Sequence, residues 1–222
     1  MKKMKIWTAI GATCLMLASC TRESSDSVDQ DKIWTKYEII YDKNVDETTV
    51  RVEFRFGGAF GTKLELASPA SIKFNNEVIP FNSTMAYYEK TFTALVSSGT
   101  FVYSDVDGNV YTNNTSSVEA VEFPPGDIII NGGVDYVMPI VGDAVGSSDI
   151  VSMTLSDKIF ATSQVGATTI TIGGAQTDNI TPGPYVATMY RTITQTPASA
   201  TPEGALIFLT HKALNKAITV ND

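Results

Sequence analysis

The chain has 222 residues, of which 43% are hydrophobic and 18% charged, and its formal charge is −8. That apolar content excludes a disordered polar chain, which could not offset its ordering entropy by burial. The acidic balance argues against nucleic acid as a partner, because phosphate binding needs clustered Lys and Arg. Beyond the first twenty residues no stretch approaches the ~20 apolar residues of a helical membrane span.

In chain order, Lys2, Lys3 and Lys5 come first, followed by the uncharged, largely apolar run Ile6 to Leu17. A basic start and a short apolar core suit a secretory signal, and the run is too short to span a bilayer. It closes on Leu17-Ala18-Ser19-Cys20, which resembles the lipobox of bacterial lipoproteins. The resemblance implies a signal peptide over residues 1–19, cleavage before Cys20, a diacylglycerol on its sulfur and a further acyl chain such as palmitate on its amine. The membrane would then be a partner through the lipid anchor. Burying acyl chains contributes ~0.8 kcal/mol per CH₂, so two or three chains hold firmly where one is marginal. An ordinary signal peptide with an incidental cysteine is the alternative. With Cys14 removed and Cys20 acylated no free thiol is left, so disulfide frameworks, cysteine metal sites and cysteine nucleophiles drop out.

Residues 20–32 read as a flexible acidic tether. Ser24-Ser25-Asp26-Ser27 is followed by Asp29 and Asp31, and Val28 is its only aliphatic residue, a composition that stays solvated. An acidic, serine-containing run just after the lipidated cysteine resembles the surface-export signal of Bacteroidetes lipoproteins. It implies an outer-membrane lipoprotein on the cell surface; a plain linker and the periplasmic face are the alternatives. Asp26-Ser27-Val28 resembles the three-residue O-glycosylation motif of the same phylum, with Ser27 as the acceptor.

From Ile33 onward the dominant period is two. Val50, Val52, Phe54 and Phe56 alternate with Arg51, Glu53 and Arg55, the pattern of a half-buried antiparallel strand. Gly57-Gly58-Ala59-Phe60-Gly61 is read as a glycine-rich turn or bulge, because no Lys-Ser/Thr follows to make a phosphate loop. Ile72 and Phe74 lead through Asn75-Asn76-Glu77 to Val78 and Phe81, a hairpin. Met85, Tyr88, Phe92 and Leu95 fit a helical stripe, but Thr91, Phe92 and Thr93 favour a strand. Phe101 and Tyr103 lead through Asp107-Gly108 to Val110 and Tyr111, which predicts a hairpin with a type I′ turn.

Pro124-Pro125-Gly126 withholds backbone donors and marks a boundary. Beyond it Val151, Met153 and Leu155 alternate with serine and threonine, and a short helix is conceivable over Ser156 to Thr162. Thr168 to Ile172, Tyr185 to Thr194, Leu206 to Leu209 and Ala217 to Val220 read as further strands. The expectation is an all-β chain of tandem immunoglobulin-like antiparallel β-sandwiches, one over residues 33–123 and one over 124–222. One large sandwich is the alternative.

Tyr87-Tyr88, Thr91-Phe92, Gly99-Thr100-Phe101-Val102-Tyr103, Asp105-Val106-Asp107-Gly108-Asn109 and Tyr111-Thr112-Asn113 resemble the strand–turn–strand run of two-domain Bacteroidetes lipoproteins with immunoglobulin-like folds. The resemblance implies a tethered surface or periplasmic module and transfers no catalytic residue.

Candidate chemistry is sparse. His211 is the only histidine, so a multi-histidine metal site is impossible, and no Gly-x-Ser-x-Gly exposes a serine nucleophile. It is expected on the surface beside Lys212. Asp105, Asp107 and Asn109 could offer oxygen ligands to calcium, but Gly108 comes too early for an EF-type loop and Ser116 stands where the closing acid would fall; a hairpin turn explains the same residues. Glu65, Glu77, Glu89, Glu119 and Glu122 are formal candidates for a carboxylate pair. Trp34, with Tyr37 and Tyr41 nearby, could stack on a glycan; packing of Trp34 in the core or at an edge is the alternative. No cofactor and no catalytic residue are expected. The function expected is a non-catalytic binding or accessory module for a glycan or a host or envelope protein, with a structural subunit of a fimbria-like or other envelope assembly as the alternative.

Overall fold

The computed structural model describes residues 22–222, and the chain is almost entirely β over that range. The N-terminal half forms β1 (Glu23–Ser24), β2 (Ile33–Asp42), β3 (Glu47–Phe56), β4 (Thr62–Glu65), β5 (Ser71–Phe74), β6 (Glu77–Val78), β7 (Phe81–Asn82), β8 (Tyr87–Thr93), β9 (Thr100–Ser104) and β10 (Val110–Asn114). The C-terminal half adds β11 (Val121–Glu122), β12 (Ile128–Asn131), β13 (Tyr136–Pro139), β14 (Val141–Gly142), β15 (Asp149–Leu155), β16 (Lys158–Thr162) and β17 (Thr169–Ile172). An α-helical turn (Gly174–Thr177), β18 (Gly183–Gln195), β19 (Ala205–Lys212) and β20 (Lys216–Asn221) complete it.

One large sheet runs through both halves in the order β1–β4–β3–β2–β19–β18–β15–β16, with β8 also on β3. The alternation in β2 and β3 dictates which residues turn inward. Ile33, Tyr37, Ile39, Val50, Val52 and Phe54 are buried against a second sheet, β10–β9–β5–β6, which supplies Ile72, Phe74, Phe101 and Tyr103. Aromatic pairs fill the gap: Tyr37 lies 4.9 Å from Phe101, and Phe54 lies 4.6 Å from Tyr103. A second core gathers Val151, Met153, Leu155, Ala187 and Met189 under Ile128, Ile130, Met138, Ile170, Ile172, Ile218 and Val220.

The join between the halves is a strand pairing. β19 runs parallel to β2, from Ala205 opposite Thr35 to Lys212 opposite Asp42. Ile193, Ile207 and Leu209 therefore close the first core, although they lie far beyond Pro124-Pro125. β12 beside β20 and β1 beside β4 are parallel as well, so the sheets depart from the expected purely antiparallel arrangement.

Several local expectations meet their structure here. Tyr87–Thr93 is a strand, as the threonines favour, and Asn75 and Asn76 both take positive φ (49° and 66°) in the β5–β6 hairpin. The helix entertained over Ser156 to Thr162 is instead β16, paired along its length with β15. The Asp107-Gly108 hairpin exists but is not a two-residue type I′ turn. Ser104 pairs with Val110, and in the intervening loop only Gly108 has positive φ (84°). The expected flexible tether is docked over residues 22–32. Ser25 and Gln30 are buried, the Ser25 hydroxyl accepts from the Ala67 N–H at 2.9 Å, and the Gln30 amide donates to the Ser25 carbonyl at 2.6 Å. Val28 packs on the first core. A composition that is solvated in isolation is here held by backbone pairing, by the Ser25 and Arg22 hydrogen bonds to Ala67 and Ser83, and by the Arg22–Glu65 ion pair. Residues 1–21, including Cys20 and the expected signal peptide, lie outside the described residues.

Residues 33–123 expressed alone would expose the edge of β2 and open the first core at Ile193, Ile207 and Leu209. That fragment is expected to give a collapsed, undispersed amide NMR spectrum; a well-dispersed one would show that β19 is dispensable. In the whole chain Leu209→Ala is expected to cost about 2–5 kcal/mol, measured as a lower urea midpoint.

Candidate functional site

The outward residues of β2 are Trp34, Lys36, Glu38, Ile40 and Asp42, all half-buried among their neighbours on the sheet. Register carries them across strands into rows. Trp34 stands opposite Arg55, Lys36 lies between Glu53 and Leu206, and Glu38 lies between Arg51 and Phe208. Ile40 is flanked by Thr49 and Thr210, and the row continues through Thr192 to Ile150. The second sheet packs on the opposite side of β2, where Tyr37 meets Phe101, so this outer face is left to solvent.

The face has two characters. Around Trp34 it is a lattice of charges: Lys36 Nζ lies 3.3 Å from Glu38, Arg51 Nη1 lies 3.8 Å from Glu38, and Arg51 Nη2 lies 2.7 Å from Glu89. The Arg51 guanidinium also covers the Tyr87 ring at 4.3 Å. Glu53 is nearly buried beneath Arg55 and Lys63. Toward β18 and β15 the face turns to hydroxyl and apolar groups, with Thr192 and Thr210 in hydroxyl contact at 3.2 Å.

Behind the face, between the two cores, lies a polar seam. Arg191 is fully buried. Its Nη1 donates to Glu119 at 2.8 Å and lies 3.7 Å from Asp149, its Nη2 donates to the Asp143 carbonyl, and its Nε has no hydrogen-bond partner. His211 stands opposite Arg191 in the β18–β19 register. It is 3% exposed, its ring lies 5.3 Å from that of Tyr41, and its Nδ1 accepts from the Val121 N–H at 3.4 Å. Burial pushes the imidazole below its ordinary value; Lys43 and Arg191 push the same way, and Glu122 opposes them.

The sequence-derived site residues scatter. Trp34 faces outward, whereas Tyr37 and Tyr41 point to the other side of the same strand. Tyr37 is core, and burial drives its phenol pKa far up. Tyr41 donates to Asp46 at 2.9 Å. The three do not form one aromatic platform, and parity along β2 carries that information, since 34 is even and 37 and 41 are odd. Asp105 is buried and spends its carboxylate on the N–H groups of Asp107 and Asn109, at 3.0 and 2.8 Å, and on the Asn109 amide at 2.9 Å. These bonds organise the loop between Ser104 and Val110. No group of three His, Cys, Asp or Glu side chains placed to hold a metal occurs among the described residues. Ser27 is exposed and its hydroxyl donates to the Ser24 carbonyl at 2.6 Å. The surface position expected for His211 is corrected to a buried one. The five candidate glutamates each pair with a cation of their own: Glu65 with Arg22, Glu77 with Lys90, Glu89 with Arg51, Glu119 with Arg191 and Glu122 with Lys43. The sequence reading missed Arg191, which only the alternation Met189, Arg191, Ile193 could have signalled as inward.

No protein-family model matches the chain, and no curated protein matches its sequence. Among solved structures, one from a study of host-cell-surface retention of a 1.5-MDa bacterial ice-binding adhesin is 13% identical, with a TM-score of 0.26 over 87% of this chain and 66% of that one. Another, from a Ca²⁺-stabilized adhesin that helps an Antarctic bacterium reach out and bind ice, is also 13% identical, with a TM-score of 0.27 over 86% and 49%. The chain thus spans less than two thirds of either, and both likenesses are remote.

Two outcomes test the seam. Arg191→Ala leaves Asp149 buried without its cation and is expected to cost about 3–5 kcal/mol in urea denaturation. His211 is the only histidine and is held neutral, so its contribution is complete above the ordinary value of 6.5. As pH falls through 6.5 the unfolded chain takes up a proton that the folded seam resists, and stability falls. His211→Gln is expected to flatten the stability–pH curve between about pH 6.5 and 5, above the range where ordinary carboxylates titrate.

Proposed function

We propose that this protein is a lipid-anchored cell-envelope binding module that holds a glycan on its open sheet face around Trp34. The uncovered outer face of the large sheet carries the reading. Trp34, Leu206 and Phe208 lie there beside the charged hydrogen-bonding groups of Lys36, Glu38 and Arg51. A ring with one apolar face, surrounded by fixed donors and acceptors, suits a sugar, which offers C–H groups on one side and hydroxyls at its rim. An arrangement of this kind binds without transforming. The lone imidazole is buried, and the candidate glutamates are tied to separate cations. The lipobox-like Leu17-Ala18-Ser19-Cys20 supports the anchor, and the acidic run after it supports the outer-membrane surface.

The test is a glycan array probed with the mature protein in detergent. Binding to at least one glycan is expected, with Trp34→Ala weakening it tenfold or more while the far-UV spectrum is kept. An array silent with Trp34 intact overturns the glycan reading. It would favour the second one, a subunit of an envelope assembly, for which β16 offers a free edge: it ends the large sheet and shows Ile159 to solvent.

A further inference from the structure

We infer that the Gly57–Gly61 turn, with Phe60 at its tip, is a second membrane contact that seats in the bilayer beside the lipidated N-terminus. The inference rests on the anchor reading above and adds to it the part of the fold that meets the lipid.

Phe60 is 100% exposed. The turn that carries it is built rather than loose. Gly57 and Gly58 take φ of 79° and 102°, the Gly61 N–H donates to the Gly58 carbonyl at 2.9 Å, and Arg55 Nη1 donates to the Gly61 carbonyl at 3.1 Å. A side chain at Gly61 would place its Cβ 1.7 Å from the Phe56 carbonyl oxygen, so the backbone there admits only glycine. A defined turn thus presents a large aromatic ring wholly to solvent.

The direction of the chain supplies the occupant. β1 runs parallel to β4, with Glu23 opposite Leu64 and Ser24 opposite Glu65. Going back from Glu23 therefore leads toward Thr62 and the Gly57–Gly61 turn that precedes it. Cys20 stands two residues before Arg22, so covalent geometry keeps their α-carbons within about 8 Å of each other. Arg22 also donates to the Ser83 carbonyl at 3.4 Å, and Lys63 to the Met85 carbonyl at 3.0 Å. Met85, 51% exposed, therefore belongs to the same end of the molecule. The acyl chains would enter the bilayer where Phe60 and Met85 already project.

The chemistry favours the apolar part of the bilayer interface over its charge. Arg22 is paired with Glu65, Arg55 with Glu53, and Lys63 lies 3.8 Å from Glu53, which leaves the exposed Lys32, whose carbonyl accepts from the Gly57 N–H, as the described cation at this end in no ion pair. Seating the tip also orients the rest. β2 and β3 have ten residues each, so they lead away from this end over ~30 Å. The second core then stands on the far side from the membrane, and the Trp34 face runs along the side.

The experiment uses the mature protein reconstituted into phosphatidylcholine–phosphatidylethanolamine vesicles, with Cys20 examined by mass spectrometry in each preparation. Phe60→Trp places a reporter at the tip, and Val165→Trp, at a 66% exposed site beside the second core, is the distant control. After subtraction of the Trp34 signal, the Phe60→Trp emission is expected to shift to the blue, to be lost in vesicles of brominated lipid, and to be unchanged by high salt. The Val165→Trp emission is expected to stay accessible to acrylamide and insensitive to bromine. Equal acrylamide quenching at the two sites in a preparation whose Cys20 is acylated overturns the inference and leaves the anchor standing. An unmodified Cys20 overturns the anchor, and this inference falls with it.

Discussion

Everything in this molecule depends on the parallel ladder between Ala205–Lys212 and Thr35–Asp42. Without it the first core lacks one wall and the sheet stops at β2. The ladder joins residues about as distant as the chain allows: the Thr201 hydroxyl reaches the Ile33 carbonyl at one end, and Lys212 meets Asp42 at the other. Closing so long a loop costs entropy before any contact forms. The burial of Ile207 and Leu209 offsets it, at roughly 1.5–3 kcal/mol for each side chain taken fully from water. The two halves are therefore coupled through shared strands rather than joined by a linker, whatever the prolines at 124 and 125 do locally.

The buried seam helps hold that ladder in register. Along β18 the inward positions are Met189, Arg191 and Ile193, so one strand carries apolar groups into each core and a guanidinium between them. A slip of one residue would turn Arg191 outward and leave Asp149 without its cation. Buried ion pairs add little net stability, but misplacing one costs several times what a surface pair is worth. His211 directly opposite, kept neutral, avoids a second positive charge beside Arg191.

With the strands held this way, the molecule has one covered and one open side. The inner side of the large sheet is consumed by the two cores, and the small second sheet reserves the aromatic residues of the first half for packing. What remains for recognition is the outer face, where Trp34 is the outward aromatic of β2 and a network of paired charges supplies directional groups. The proposed membrane contact and ligand site share one end of the strands, Phe60 at the tip and Trp34, opposite Arg55, on the flank beside it, while the second core stands remote from the bilayer.

The all-β class, most strand positions and the Asn75-Asn76 hairpin were legible in the sequence. These are local consequences of period-two burial and of residues that tolerate positive φ. It also held the strand of Tyr87–Thr93 against a helical stripe, because β-branched residues suit a pleated surface. It did not disclose that residues 22–32 dock, since Ser25 and Gln30 are polar and are buried only because Ala67 and the local backbone supply their partners. Nor did it separate Trp34 from Tyr37 and Tyr41 while nearness in sequence was taken as nearness in space. Tertiary structure alone decided that β19 lies beside β2, that Arg191 and His211 are interior, and that Phe60 and the chain's entry point share one end. The reason is physical: alternation says which face a side chain takes, but which strand becomes its neighbour depends on pairing energies between segments far apart in the chain, and no local pattern records those.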